Sequence, residues 1–317
     1  YKQYKDIRLV FVPEVQLGFY GGDYDNFTYP RYDGDFSFFR AYENGKPVKI
    51  DTYFKWSKAG AKENELVFTV GNPGRTNRLK TYEQLEFYRD YAYPATLNYL
   101  NISINAYKKY MAETKKSDGE IKEELFGLSN SQKVYDNSIK YLHNPVIMAR
   151  KKDFQNQFKN KYFELKLDKE YGNLWDSIKV IKEEQKKLYP EYLPLSYIAD
   201  GRRALCDYFK IAIRVYNKTN KITDDSLSKI IDTLANEIFT DNRKTEYYPK
   251  IQEYLLLDLL NIIYPKFKDD PNFQEFTNNL TPAEAVKYIL SNSQITNVNK
   301  LKVLLKSGKK SFTNDPF

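Results

Sequence analysis

Cysteine and histidine occur once each in the 317 residues, as Cys206 and His143. A single cysteine rules out an intrachain disulfide. One cysteine and one histidine cannot supply the ligands of a usual zinc site, so no metal is expected. A cysteine nucleophile needs a histidine beside it. Cys206, in Ala204-Leu205-Cys206-Asp207-Tyr208-Phe209, reads instead as a buried helix cysteine. Apolar runs long enough to span a bilayer are missing too, so no membrane span is expected. No leader-like segment stands before Tyr1, which is the expectation for a mature domain or an internal piece of a longer chain. Nucleic-acid signatures are also lacking, although 50 Lys+Arg against 42 Asp+Glu leaves a net charge of +8. Lysines such as Lys179, Lys182, Lys186 and Lys187 alternate with Glu183 and Glu184, the pattern of a solvated helix face.

What the chain does have is enough apolar matter, 41% hydrophobic against 29% charged, to fold into two domains with a sizeable core. The first part alternates with period two. Ile7 to Val12 is a β-branched run closed by Pro13, Val15 to Tyr20 and Phe36 to Tyr42 read as further strands, and Asn44-Gly45 is a hairpin signal. Leu66 to Val70 reads as another strand, stopped by Gly71-Asn72-Pro73-Gly74.

Beyond about Thr76 the apolar period shifts towards 3.6. Helices are expected over Thr81 to Asp90, broken before Pro94, and over Ala95 to Lys116, Asn130 to Leu142 and Pro145 to Glu170. Further helices are expected over Leu174 to Tyr189, ending at Pro190, and over Leu195 to Val215, Asp224 to Phe239 and Pro249 to Ile263. Thr281-Pro282-Ala283-Glu284 is a capping box with proline at the first helical position, and Asn299 to Lys306 closes the series. The fold class is therefore α+β: a small antiparallel β-module over residues 1–78, then a large all-α domain over 79–317.

Chemistry concentrates in the stretch Gly21-Gly22-Asp23-Tyr24-Asp25-Asn26-Phe27, continuing through Pro30-Arg31-Tyr32-Asp33-Gly34-Asp35 to the strand. The glycines allow tight backbone, and four aspartates gather in a loop, where function tends to reside. A calcium loop of the helix–loop–helix kind would need a glycine and a closing glutamate that this spacing lacks. Asp35-Phe36-Ser37-Phe38-Phe39-Arg40 resembles the strand that opens on the triad aspartate in chymotrypsin-like proteases.

The longer stretch is similar to the signature of serine dipeptidyl-peptidases of the dipeptidyl-peptidase 7 and 11 type. Val70-Gly71-Asn72-Pro73-Gly74-Arg75-Thr76 resembles that family's next block, and Asn130-Ser131-Gln132-Lys133 its weaker helix motif. The resemblance implies that the β-module is part of a chymotrypsin-like barrel and that the helical domain caps the cleft. It implies Asp35 as triad aspartate, with Asn26, Phe27 and Asn130 holding the free N-terminus of a peptide substrate. Phe27 stands where the family usually has tryptophan, and Tyr32 and Asp33 depart from the commonest pattern, leaving a second carboxylate beside Asp35. The order histidine, aspartate, serine would place the family's histidine upstream of Tyr1 and its serine beyond Phe317. His143 reads as a histidine at a helix end.

The expectation is thus the central portion of an exopeptidase that releases dipeptides, inactive by itself. The resemblance also implies that no cofactor is required, a periplasmic or cell-surface location in a Gram-negative bacterium, and a homodimer for the full-length protein. Two other readings stand beside it: a non-catalytic peptide-binding relative, and a helical interaction domain.

Overall fold

A computed structural model describes residues 2–18, 32–68, 79–117, 119–199, 204–219, 248–307 and 314–317. The chain divides into two compact units, Tyr1–Leu79 and Lys80–Phe317.

In the first unit, β1 (Asp6–Phe11) pairs antiparallel with β2 (Phe38–Glu43), and β2 with β3 (Lys46–Pro47), in the order β1-β2-β3. Asp6 faces Tyr42 and Leu9 faces Phe39. A bulge between Leu9 and Phe11 shifts the register, so that Phe11 meets Phe38. The β2–β3 turn is Asn44-Gly45 with φ of 53° and 74°, the left-handed pair that a two-residue hairpin requires.

Two expected strands are not formed in their described parts. Val15–Gly18 is a single helical turn, α1, rather than the start of a strand, with the amides of Leu17 and Gly18 both donating to the Glu14 carbonyl at 2.9 Å. Leu66 to Phe68 is irregular; the rest of that run lies outside the described residues. Pro13 explains the first miss: it stops β1 and frees the backbone to turn before alternation can act.

Among its described residues the second unit contains helices and no strand. Its elements are α2 (Tyr82–Phe87), a π-turn (Tyr88–Ala92), α3 (Tyr93–Thr114), α4 (Gly119–His143) and α5 (Pro145–Glu164). They continue as α6 (Asp168–Tyr171), α7 (Leu174–Ala199), α8 (Asp207–Thr219) and α9 (Tyr248–Phe267), and end with α10 (Pro271–Thr277), α11 (Pro282–Asn292) and α12 (Val298–Lys306). The start of α2 is fixed by Thr81, whose hydroxyl accepts from the Gln84 amide while the Gln84 side chain accepts from the Thr81 amide. At α11 the Glu284 carboxylate takes both the amide and the hydroxyl of Thr281.

Pro94 does not end a helix: the π-turn before it lets the chain pass from α2 into α3. Pro190 and Pro194 likewise lie inside α7. Packing on either side holds that helix together, with Tyr189 edge-on to Phe87 at 5.3 Å and the Tyr197 hydroxyl donating to the Ala95 carbonyl at 3.3 Å. Helix α4 starts eleven residues before the expected Asn130. Helix α10 had no expectation, and Asp224 to Phe239 lies outside the described residues.

The core of this unit is built around α9, where Leu256, Leu259, Leu260 and Ile263 have no exposed surface. It continues through Ile251 and Leu255 to Leu205, Phe209 and Ile211 near α8, and to Ile289 on α11.

Candidate functional site

Asp35 stands three residues before β2 on backbone that is held on both sides. The Gly34 amide donates to the Leu17 carbonyl of α1 at 2.6 Å, and the Phe36 amide donates back to the Gly34 carbonyl at 2.9 Å. Phe36 is stacked on Phe11 at 5.6 Å and meets Phe38 edge-on at 5.7 Å, and Phe38 in turn lies against Trp56 at 6.4 Å. The short turn α1 and the aromatic cluster over the β1–β2 bulge therefore fix the backbone from which the carboxylate projects. The Asp35 side chain is exposed, whereas Asp33 is half-buried and already engaged in an interaction. Strand β2 begins at Phe38, not Phe36, so Asp35 is carried by an irregular segment leading into the strand.

Asn130 belongs to the middle of α4 in the second unit and is not a helix N-terminal residue as its place after Ser129 suggested. It is exposed and engaged. Its helix is fixed to α3 by Gln132, whose side-chain amide donates to Asn101 Oδ1 at 2.5 Å, and by Tyr135 edge-on to Tyr93 at 5.4 Å. Asn26 and Phe27 lie outside the described residues. His143 is the last residue of α4, exposed, with Nδ1 2.8 Å from the Ile139 carbonyl oxygen.

Sequence reading passed over a second constellation. A cavity of about 560 Å³ opens among α3, α4, α8 and α9. At its wall the Asp207 carboxylate receives Lys210 Nζ at 2.5 Å, and the Tyr248 hydroxyl and Gln252 Nε2 at 3.3 Å each. The Asp207 amide closes the network on Gln252 Oε1 at 2.7 Å. Burial opposes the charge of Lys210, but Asp207 beside it prevails and raises its pKa. Burial, reinforced by Asp207, pushes the Tyr248 phenol well above its usual range. Cys206, next to this network, is fully buried and its thiol is pushed up by burial, which leaves it inert as a nucleophile. The sequence signal was there, Asp207, Lys210 and Arg214 at helical spacing, but it is indistinguishable from an ordinary surface row until the fold shows the cavity.

Comparison with known proteins shows the family. The model of the family described as Peptidase S46 matches residues 1–317. The chain belongs to the peptidase S46 family. Within it, 112 residues are 38% identical to an Asp/Glu-specific dipeptidyl-peptidase of Shewanella putrefaciens, covering 32% of this chain and 15% of that protein. Dipeptidyl-peptidase 7 of Capnocytophaga gingivalis is 26% identical over 284 residues, 86% of this chain and 39% of that protein. The crystal structure of Porphyromonas endodontalis DPP11 in complex with the dipeptide Arg-Glu superposes with a TM-score of 0.66 at 18% identity, over 99% of this chain and 47% of that one. This S46 chain thus spans less than half the length of these relatives, and it shares with the last the fold of a small antiparallel sheet joined to a large helical region.

Proposed function

We propose that this chain is the portion of a serine-type dipeptidyl-peptidase that carries the triad aspartate and part of the recognition of the substrate's free N-terminus. The observation that carries the reading is the S46 match along the whole chain, joined to an exposed Asp35 on doubly anchored backbone at the foot of β2. In this reading the β-unit is part of a chymotrypsin-like barrel, and the histidine and serine come from the rest of the parent protein.

Asp35 would accept a hydrogen bond from the Nδ1–H of that histidine. This fixes the tautomer whose Nε2 takes the serine proton, and it stabilises the imidazolium while the serine oxygen adds to the scissile carbonyl. The histidine then returns the proton to the departing amine. Collapse of the tetrahedral intermediate leaves a dipeptidyl ester, which water hydrolyses by the same route.

Cutting after two residues requires acceptors at a set distance from the serine, because an ammonium out of water needs partners. Asn26 and Asn130 supply amide oxygens for it, and Phe27 supplies a ring face worth roughly 0.5–2 kcal/mol to a cation. The helical domain as cap over the cleft, a homodimer of the full-length protein, and a periplasmic or cell-surface location complete the proposal.

The test uses the full-length parent protein and an eight-residue peptide followed by mass spectrometry. Release of successive dipeptides is expected, with the N-acetylated peptide left intact and a serine-directed phosphonylating reagent stopping the reaction. Release of single residues, or indifference to acetylation, overturns the proposal. Asn26→Ala should raise KM for the free-amine peptide by the equivalent of roughly 1–3 kcal/mol. Equal losses on a blocked peptide that still binds would reassign Asn26 to loop shape.

A further inference from the structure

Helices α3 and α9 pack together, and an open groove of about 490 Å³ lies along their seam, wholly inside the helical unit. Ala106 of α3 is buried and small, and it leaves space there that a longer side chain would fill. Three polar side chains line the groove: Asn105 on α3, and Asp258 and Asn261 one turn apart on α9. Among the described residues none of the three makes a hydrogen bond or an ion pair through its side chain. Asp207, by contrast, is satisfied by Lys210, Tyr248 and Gln252.

Asp258 is half-buried, and burial raises its pKa by disfavouring the charged form, with Lys109 opposing this only in part. Lys109 is held elsewhere: its Nζ lies 4.3 Å from the centroid of the Tyr254 ring, and the Tyr254 hydroxyl donates to Glu113. The groove therefore offers a carboxylate with about four acceptor sites and two amide oxygens, all without a donor from the protein. An anion would be repelled by Asp258, and an apolar ligand would leave these groups unpaired. A guanidinium answers them, because its planar fork pairs bidentately with a carboxylate and keeps further N–H groups for the amide oxygens. Ile102, Leu257 and Ile262 on the same walls suit the methylene stem that carries such a head. The volume is within the range of small-ligand sites.

We propose that the α3–α9 groove binds an alkylguanidinium group, the chemistry of an arginine side chain, with Asp258 as the residue that pairs with it. The inference rests on the groove alone. It needs neither the triad role of Asp35 nor dipeptide release, and it gives the helical unit a binding site of its own.

The test is titration calorimetry of the 317-residue chain with N-acetyl-arginine amide at up to ~10 mM, a range in which weak specific sites fill. No turnover enters the measurement, so its result is separate from that of the peptide-release experiment. Saturable binding is expected. N-acetyl-citrulline amide, which keeps the shape and replaces the charged head with a neutral urea, should bind at least ~10-fold more weakly. Asp258→Asn, which keeps the size of the side chain and removes its charge, should weaken the arginine compound by a similar factor. Asn105→Arg, at an exposed position on the opposite wall, supplies a guanidinium from the protein itself and should abolish binding while circular dichroism stays native. Free arginine carries the same head, so the tighter of it and the capped compound tells an amino acid from a peptide as the source. Should Asp258→Asn not fold, the citrulline compound and Asn105→Arg decide. Absence of saturable binding, equal binding of the citrulline compound, or undiminished binding by folded Asp258→Asn or Asn105→Arg overturns the proposal.

Discussion

Phe38 and Leu259 are both large apolar side chains, yet Phe38 is 45% exposed and Leu259 has no exposed surface. The contrast runs through the two units. Among the described residues of the first unit no side chain is buried, and Leu9, Phe39 and Trp56 face outward. In the second unit α9 is enclosed by its neighbours for most of its length. Burying a leucine or isoleucine stabilises by roughly 1.5–3 kcal/mol, so the helical unit contains its own source of stability. The described part of the β-unit holds the backbone of Asp35 without a buried side chain of its own. The difference teaches that in this stretch of an S46 chain the two units are held in different ways, by hydrogen bonds and half-exposed ring contacts in one and by a closed core in the other.

Asp35→Ala in the full-length protein is the sharpest way to break that contrast. The rate constant kcat should fall about 10⁴-fold, as when a triad aspartate is lost, with a smaller effect on KM. Thermal unfolding of the 317-residue chain with the same substitution should move little, because the side chain is exposed there. Steady-state kinetics beside a melting curve checks both, and a large loss of stability with modest loss of rate would make Asp35 a structural residue. If Asp33→Ala removes activity and Asp35→Ala does not, the triad role passes to Asp33.

Leu259→Ala should act in the opposite sense, costing about 2–5 kcal/mol through the cavity it opens in the core. Phe38→Ala in the 317-residue chain should cost under about 1 kcal/mol, since that ring is already half in water. Urea titration followed by far-UV circular dichroism compares them, and similar costs would contradict the contrast. Hydrogen exchange offers the same comparison without mutation: amides of β1 and β2 should exchange faster than those of α9.

Gly45→Ala tests the hairpin alone. Gly45 has φ of 74° with open space around it, so the penalty is backbone strain of roughly 1–2 kcal/mol and not a clash. Near-UV signals of the aromatic cluster should weaken while helical content is kept.

The smallest effect is expected at Asp258 on α9, whose carboxyl is raised by burial, with Lys109 lowering it only in part. A carboxyl raised in the folded state is destabilising once both states are ionised, and neutral in its effect when both are protonated. Asp258→Asn should therefore stabilise slightly at neutral pH, with the gain fading as pH falls through the raised folded-state pKa and gone below the ordinary aspartate value. A gain that grows towards acid would contradict this assignment.

Local chemistry was legible wherever it decided the outcome by itself. Asn44-Gly45 made its hairpin and Thr281-Pro282 opened its helix, because turn and cap geometries depend on a few adjacent residues. Pro190 and Pro194 misled because the tertiary contacts of Tyr189 and Tyr197 hold α7 through them. Val15 to Tyr20 misled over its described part, Val15–Gly18, because alternation over so short a run does not separate a strand from a single helical turn. Asp35 was singled out by its flanking pattern, a stretch of adjacent residues that sequence displays directly. The Asp207 network could not be seen there, because its partners Tyr248 and Gln252 are more than forty positions away.

Cys206 gives the helical unit a built-in stopwatch. It is the sole thiol in the chain, fully enclosed, with Sγ 3.9 Å from the Gln252 carbonyl oxygen. An alkylating reagent can reach it only when the packing around α8 and α9 comes apart, and each molecule can then be tagged once. The rate of tagging therefore counts core openings directly, one mass increment per event, without a probe having to be introduced.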